Sequence, residues 1–431
     1  MTKPNILLVS FDDAVAYWPY KTAFQQPLLT PNLDRICAQS TAFHAAYSPA
    51  TVCNPARASF MSGRTPHQLG VHANKDNVFD LHDPRIMWPY RLRQDGYFCS
   101  SGGKVHHGHL PLPEPVHSIL FSDEQKDFVS PVFRQIATTH FGGYKNGLAT
   151  LDPKDDDIFY DTRSAESAIA FLDSYDRDQP FYREVGFHSP HTPFATPARF
   201  KNMYRLPQFE QPEDWANGYD SNAYADSTFP PRKELLNRRL RWWKQSVRNY
   251  FSAYSLVDDQ LGRVWRALRQ SRHADTTIVI ILADHGFHLG NKDRMQKSTL
   301  WEQVANVPLI IHLPGQTTGQ AIHDPVSTID VGPTVLDYLD LGEISGSVGQ
   351  SLRPWLEGKP PRPRAVPTFF HNNASLRKGD YRIIRYIDNT TQIYDIKEDF
   401  WQLRDLGPDH PAHAGLYADL VATSRDWGLH I

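Results

Sequence analysis

At 431 residues the chain is longer than one hydrophobic core usually serves, so a large domain and a smaller one are expected, and 40% hydrophobic with 12% aromatic residues argues against disorder. A net charge of −3 gives no bulk electrostatic reason to bind nucleic acid or an anionic membrane. No apolar run approaches the length of a membrane span.

In chain order, Asn5 to Phe11 (NILLVSF) is a short continuous apolar run, the pattern of a strand buried on both faces of a parallel sheet. Pro31 to Gln39 reads as a helix, Tyr97 to Gly102 as a strand, Ser164 to Tyr175 as a helix and Phe181 to Phe187 as a strand. The 195 to 235 region, rich in Pro, Asp and aromatic residues, reads as an insertion that shapes a pocket. A long helix is expected from Lys233 to Arg269; its Arg239, Arg241, Trp242, Trp243 and Lys244 mimic a base-stacking patch, but their amphipathic spacing points to core packing. Thr277 to Ala283 (TIVIILA) repeats the pattern of the first strand, as does Val307 to Leu313. Strands alternating with helices predict an α/β sheet, whose ligands gather at the carboxyl ends of the strands.

Gly, Pro and Ser punctuation from Leu336 to Pro363 reads as a connector, dividing the chain into residues 1–345 and 346–431. Beyond it, Thr368 to His371, Tyr381 to Ile387 and Gln392 to Ile396 are expected as antiparallel strands, and Ala412 to Trp427 as a closing helix. Three cysteines, Cys37, Cys53 and Cys99, are too few for a disulfide framework. The chain opens Met1-Thr2-Lys3-Pro4 and enters a strand at once, which predicts a cytoplasmic protein, although a trimmed export signal would leave the same start.

The residues that carry chemistry fall at strand ends. Asp12-Asp13 follows the first strand and Asp284-His285-Gly286 follows its repeat, so adjacent carboxylates leave one sheet edge together and need a cation. In Cys53-Asn54-Pro55-Ala56-Arg57 a lone thiol precedes a turn-fixing proline, a helix start at Ala56 and a guanidinium, a setting that favours a bound anion. Gly103-Lys104-Val105-His106-His107-Gly108 joins a cation to imidazoles, with His109 adjacent, and Phe187-His188-Ser189-Pro190-His191-Thr192-Pro193-Phe194 restrains two more imidazoles with prolines.

Val52 to Arg64 closely resembles the signature of the type I sulfatases, in which an enzyme oxidises the cysteine to formylglycine. Gly103 to Gly108 nearly matches the Gly-Lys-Val-x-His-x-Gly form and so resembles the branch similar to iduronate-2-sulfatase, and His-x-Pro-His-x-Pro-Phe, as His188 to Phe194, is similar to a further family segment. The tail Arg377 to Arg382, Ile393 to Ile396 and Asp405-Leu406 resembles the family's C-terminal subdomain. The resemblance implies an alkaline-phosphatase-like fold: a large mixed, mostly parallel sheet sandwiched by helices, with a smaller α+β subdomain of antiparallel strands and one helix.

It further implies metal ligands Asp12, Asp13, Asp284 and His285, completed by the modified Cys53. Carboxylate oxygens favour Ca2+, while the imidazole admits Mn2+, and Mg2+ is a further alternative. By the same resemblance Lys104 holds a sulfate oxygen, Arg57 neutralises charge beside it, and His107, chosen over His106 by alignment alone, stands beside formylglycine. His191 is the general acid, with Lys297 at the bridging region of the ester, while His188 is structural. His72, Asn74 and Lys75 are possible substrate contacts. The implied reaction is attack of a hydrated formylglycine on sulfur, giving a covalent sulfate hemiacetal from which His107 assists expulsion of sulfate.

Expected partners are a small sulfated substrate and a formylglycine-generating enzyme. Two alternatives share the scaffold. A phosphonate monoester or phosphodiester hydrolase suits Asp284-His285 but not Asp13, and a non-catalytic anion-binding relative would keep Cys53 unconverted. Whether the ester is a sugar, choline or aryl sulfate, and the oligomeric state, are not legible in the sequence.

Overall fold

The structure is a computed structural model that describes residues 3–126 and 139–431. An eight-stranded sheet runs in the order Gln320–Ile322, Thr41–Tyr47, Asn306–His312, Thr277–Ala283, Asn5–Asp12, Phe181–Pro190, Phe98–Gly103, with Val326–Ser327 also pairing to Thr41–Tyr47. Asn5–Asp12 lies parallel to both neighbours, Leu8 standing between Glu184 and Ile280.

The apolar runs divide by parity, as the two-residue repeat of a strand requires. Leu7, Val9 and Phe11 with Val279, Ile281 and Ala283 enter the core under the helix Leu240–Gln270. Ile6 and Leu8 with Ile278, Ile280 and Leu282 enter the opposite core with Phe60, Trp88 and Val335. Burying such side chains contributes about 1.5–3 kcal/mol each, so both faces hold the strands in place. The helix pattern expected from Lys233 breaks at Arg238, which takes φ 51, into Lys233–Leu236 and Leu240–Gln270. Trp243 is buried there, its indole N–H donating to the Leu289 carbonyl at 2.7 Å.

Two long strands of this sheet also depart from the sequence reading. Asn306–His312 runs antiparallel to both its partners, because a continuous apolar run reports burial on two faces and not direction. Thr41–Tyr47, a full member of the sheet, has alanines and a histidine where a strand signal would need bulky apolar residues.

The C-terminal sheet is antiparallel in the order Val366–Phe370, Asn373–Lys378, Tyr381–Arg385, Thr391–Asp395, covered by the helix His413–Asp426. Leu376, Ile383 and Ile393 pack against Leu416, Leu420 and Trp427. The smaller unit is tied to the larger by a buried ion pair, Arg382 Nη2 to Glu302 Oε2 at 2.8 Å, with Tyr47 Oη donating to Glu302 Oε1 at 2.8 Å. The expected connector is not loose: Trp355, 1% exposed, packs into the main core with Val335 and Leu336. Among the described residues no helix is long and apolar enough to cross a membrane.

Candidate active site

Cys53 is the first residue of the helix Cys53–Ser62, after Val52 in extended conformation (φ −136°, ψ 140°). The helix therefore starts ahead of the Ala56 expected from the sequence, and Pro55 falls in its first turn, where a missing N–H leaves no hydrogen bond unmade. Gly63 closes the helix in the left-handed region at φ 73°, its N–H donating to the Ser59 carbonyl.

The two strand ends meet as the sequence motifs require. Asp284 Oδ1 accepts from the backbone N–H of Asp13 at 3.0 Å and of His285 at 2.8 Å, so one carboxylate stitches both turns together. Asp13 takes φ 61°, and Tyr250 Oη supports that turn by donating to its carbonyl at 2.7 Å while accepting from Val15 N–H at 3.0 Å. Asp12, Asp13 and Asp284 are at most 1% exposed. Three buried anions demand cations, and the chain supplies Arg57, Lys104 and Lys297.

Arg57 is fully engaged. Its Nε meets Asp284 Oδ2 at 3.0 Å and Nη2 lies 3.4 Å from Asp12 Oδ1. The remaining donors reach the carbonyls of Lys104 (2.6 Å), Val105 (2.9 Å) and Phe11 (3.1 Å), and Ser10 Oγ at 3.3 Å. Lys104 Nζ is hydrogen-bonded to Asp12 Oδ2. Its backbone passes so close to Gly186 that any side chain there would collide with it. Lys297 Nζ lies 2.8 Å from Asp13 Oδ1 and 2.9 Å from Cys53 Sγ.

His285 Nδ1 is 3.0 Å from the Gly286 carbonyl, which keeps a proton on Nδ1 and directs Nε2 toward Cys53 Sγ at 3.3 Å and Asp13 Oδ1 at 3.5 Å. His191 repeats the device: Nδ1 donates to the Thr192 carbonyl at 2.7 Å, and Nε2 faces Asp13 Oδ2 at 3.8 Å. Burial alone would raise the Cys53 thiol, but Lys297, His285 and Lys104 hold it well below its usual range. Burial would likewise depress His285, yet Asp284 and Cys53 carry it up to about 9. His107, by contrast, is pushed down to about 4 by burial and by Lys104.

The donor set fits a divalent cation. Ligand atoms of Asp12, Asp13, Cys53 and His191 lie within 4.8 Å of one another, as do those of Cys53, Asp284 and His285, so both groups share one sulfur. Asp12 Oδ1 is buried without a hydrogen-bond partner, a cost that a bound cation would remove.

The other expected residues distribute around this centre. His106 and His107 both line a cleft of about 360 Å³ with Asn74 and Lys75, and His106 Nε2 lies 3.8 Å from buried Glu184 Oε1. Asn74 Oδ1 accepts from Asn54 N–H at 3.1 Å, and His72 stands apart beside His67 and His371. Asp13, His191 and Lys297 line a second cleft of about 260 Å³. His188 is inside the fold: its Nδ1 meets His109 Nε2 at 2.8 Å, and its backbone N–H donates to Asp161 Oδ1 at 2.6 Å.

Sequence reasoning passed over Ser10, Tyr250 and Asp161, which position the site. Only Tyr250 carried a usable signal, since a tyrosine in an apolar helix stripe still needs a partner for its hydroxyl.

The sulfatase family model matches residues 4–341. A sulfatase of Formosa agariphila is 28% identical over 92% of this chain and 82% of its own length. Iduronate 2-sulfatase of Mus musculus is 26% identical over 92% of this chain and 75% of its own. Among solved structures, the phosphonate monoester hydrolase of Agrobacterium radiobacter superposes with a TM-score of 0.76 over 99% of this chain and 96% of that one at 21% identity, a likeness of fold. With the family match spanning most of the molecule and every strand-end motif inside it, the chain belongs to the sulfatase family and is a sulfuric ester hydrolase.

Proposed function

We propose that this enzyme cleaves a sulfate monoester at a formylglycine made from Cys53 by a formylglycine-generating enzyme, with Asp12, Asp13, Asp284 and His285 holding a divalent cation against it. The observation that carries this reading is the convergence on Cys53 Sγ of Lys297, His285 and the buried carboxylates from two strand ends. A formylglycine there would supply, when hydrated, one hydroxyl as nucleophile and a second whose deprotonation releases sulfate. Calcium is the cation the oxygen-rich ligands favour, with Mn2+ or Mg2+ as alternatives, and it would supply charge neutralisation and acidify a bound hydroxyl.

The chain's own side chains divide the remaining work. Arg57 has its donors committed within the protein, so it acts by holding Asp12 and Asp284 in place rather than by touching substrate. Lys104 and Lys297 place ammonium groups on either carboxylate, where they would neutralise the sulfuryl oxygens. His191, with Nδ1–H tied to Thr192, has Nε2 to carry the proton that the departing alcohol needs. His107, kept neutral by burial and by Lys104, is available to accept one.

The test is sulfate release from an aryl sulfate, set against turnover of the matching aryl phosphonate, by protein whose Cys53 peptide is shown by mass spectrometry to carry the aldehyde. Preferred cleavage of the sulfate, lost in Cys53→Ala, is expected. A clear preference for the phosphonate would replace this reading with the phosphonate hydrolase one, and an unconverted, inactive protein with an anion-binding role.

A further inference from the structure

The cleft lined by Asp13, His191 and Lys297 is where the alcohol of the ester must lie, since the proposed proton donor faces it; the inference below rests on the sulfatase reading. Its walls include Tyr144, Ser298 and Phe370, the last contributed by the C-terminal sheet. Tyr144 is half-buried, and two cations sit on its ring: the Arg232 guanidinium 5.1 Å and the Lys145 ammonium 5.8 Å from the centroid. Arg232 Nη2 also donates to Tyr144 Oη at 3.2 Å, while its Nε is buried without any hydrogen-bond partner among the described residues. Asp226 is already taken by Arg294 at 2.6 Å, and no described carboxylate pairs with Arg232 or Lys145.

Neither cation is itself among the residues lining the cleft, but both bear on Tyr144, which is, and a partly desolvated guanidinium short of an acceptor in that position is suited to receive an anion. The same arrangement argues against a quaternary ammonium leaving group. An aromatic cage for such a cation needs free ring faces. Here the Tyr144 ring is covered by cations, and the neighbouring Phe229 and Phe287 are only 2% and 3% exposed.

We propose that Arg232, braced on Tyr144 and assisted by Lys145, selects sulfate esters whose leaving group carries a second negative charge, a carboxylate or another sulfate. Tyr144 joins this receptor to the reacting centre, because it lines the same cleft as Asp13 and Lys297.

The test uses matched esters that differ in charge but not in shape: 4-carboxyphenyl against 4-carbamoylphenyl sulfate, and a hexuronate 2-sulfate against the corresponding hexose 2-sulfate. Sulfate release is measured for wild type, Arg232→Ala, Arg232→Lys and Lys145→Ala, with thermal midpoints to verify folding. The acidic member is expected to win by about 10- to 100-fold in kcat/KM, chiefly through KM. That ratio should collapse in Arg232→Ala, return in part in Arg232→Lys and narrow in Lys145→Ala.

Equal kcat/KM within both pairs, turnover of neutral but not acidic esters, or an Arg232→Ala loss that is the same for both members overturns the inference while leaving the sulfatase reading intact. If wild-type protein with converted Cys53 releases sulfate from no ester at all, it is the sulfatase reading that fails.

Discussion

Replacing Arg57 should be felt first as lost stability. Its guanidinium is 1% exposed and bridges Asp284 at 3.0 Å and Asp12 at 3.4 Å, and it also satisfies the carbonyls of Phe11, Lys104 and Val105. Arg57→Met leaves two buried carboxylates without their shared partner, and breaking a buried pair in this way costs about 3–5 kcal/mol. For 431 residues the unfolding entropy makes that a fall of about 3–6 °C in thermal midpoint. The assay is a double-mutant cycle with Asp284→Asn, by chemical denaturation in chelator so that cation binding does not enter. Removing both partners should cost less than the sum of the single losses, by about 2–3 kcal/mol. Additive losses, or a single Arg57→Met loss below about 1 kcal/mol, would refute the view that this arginine is fastened to the carboxylates.

Three further outcomes are expected. His191→Asn should lower kcat by about 10²–10⁴-fold on esters of poorly acidic alcohols and far less on 4-nitrophenyl sulfate, whose leaving group needs no proton; equal losses on both would count against the acid role. Chelation should abolish turnover and lower the thermal midpoint, and calcium at about 100 times its Kd should restore about 2.7 kcal/mol of stability; a midpoint indifferent to calcium would contradict the metal assignment. Glu184, bonded by Tyr182 Oη at 2.8 Å and Ser101 Oγ at 2.7 Å, has its carboxyl pushed by burial from 4.5 up to about 7. The native state thus keeps a proton that the unfolded chain releases, so stability should decline as pH rises from about 4.5 through about 7, and Glu184→Gln should flatten that decline. An identical slope in the variant would show that Glu184 is not responsible.

Much of the fold could be read because its central strands are apolar on both faces. The runs at Asn5 and Thr277 have no other stable setting than the middle of a covered sheet, and the Asp12-Asp13 and Asp284-His285 pairs that end them then have to meet. What escaped depends on long-range pairing. Nothing local marks Thr41–Tyr47, whose alanines and histidine dilute the apolar pattern, and nothing local decides that Asn306–His312 points the other way from its neighbours. The break at Arg238 is equally silent, an arginine in the left-handed region where the sequence reads as continuous helix.

In the site, the motifs named the ionisable groups but not their engagements. That Arg57 faces the carboxylates and backbone, or that Lys297 reaches Asp13, follows only from which strand ends the sheet brings together. Arg232 carried no motif, because its significance lies in the absence of an acceptor, which a sequence does not record.

The central claim is that residue 53, as formylglycine, lies against a divalent cation held by the strand-end carboxylates. A crystal structure of matured protein with calcium tests it most directly. The account predicts one cation with oxygens of Asp12, Asp13, Asp284 and residue 53 at about 2.3–2.6 Å and His285 Nε2 in the same shell. A cation bound elsewhere, or an intact Cys53 thiol in fully active crystals, would contradict it.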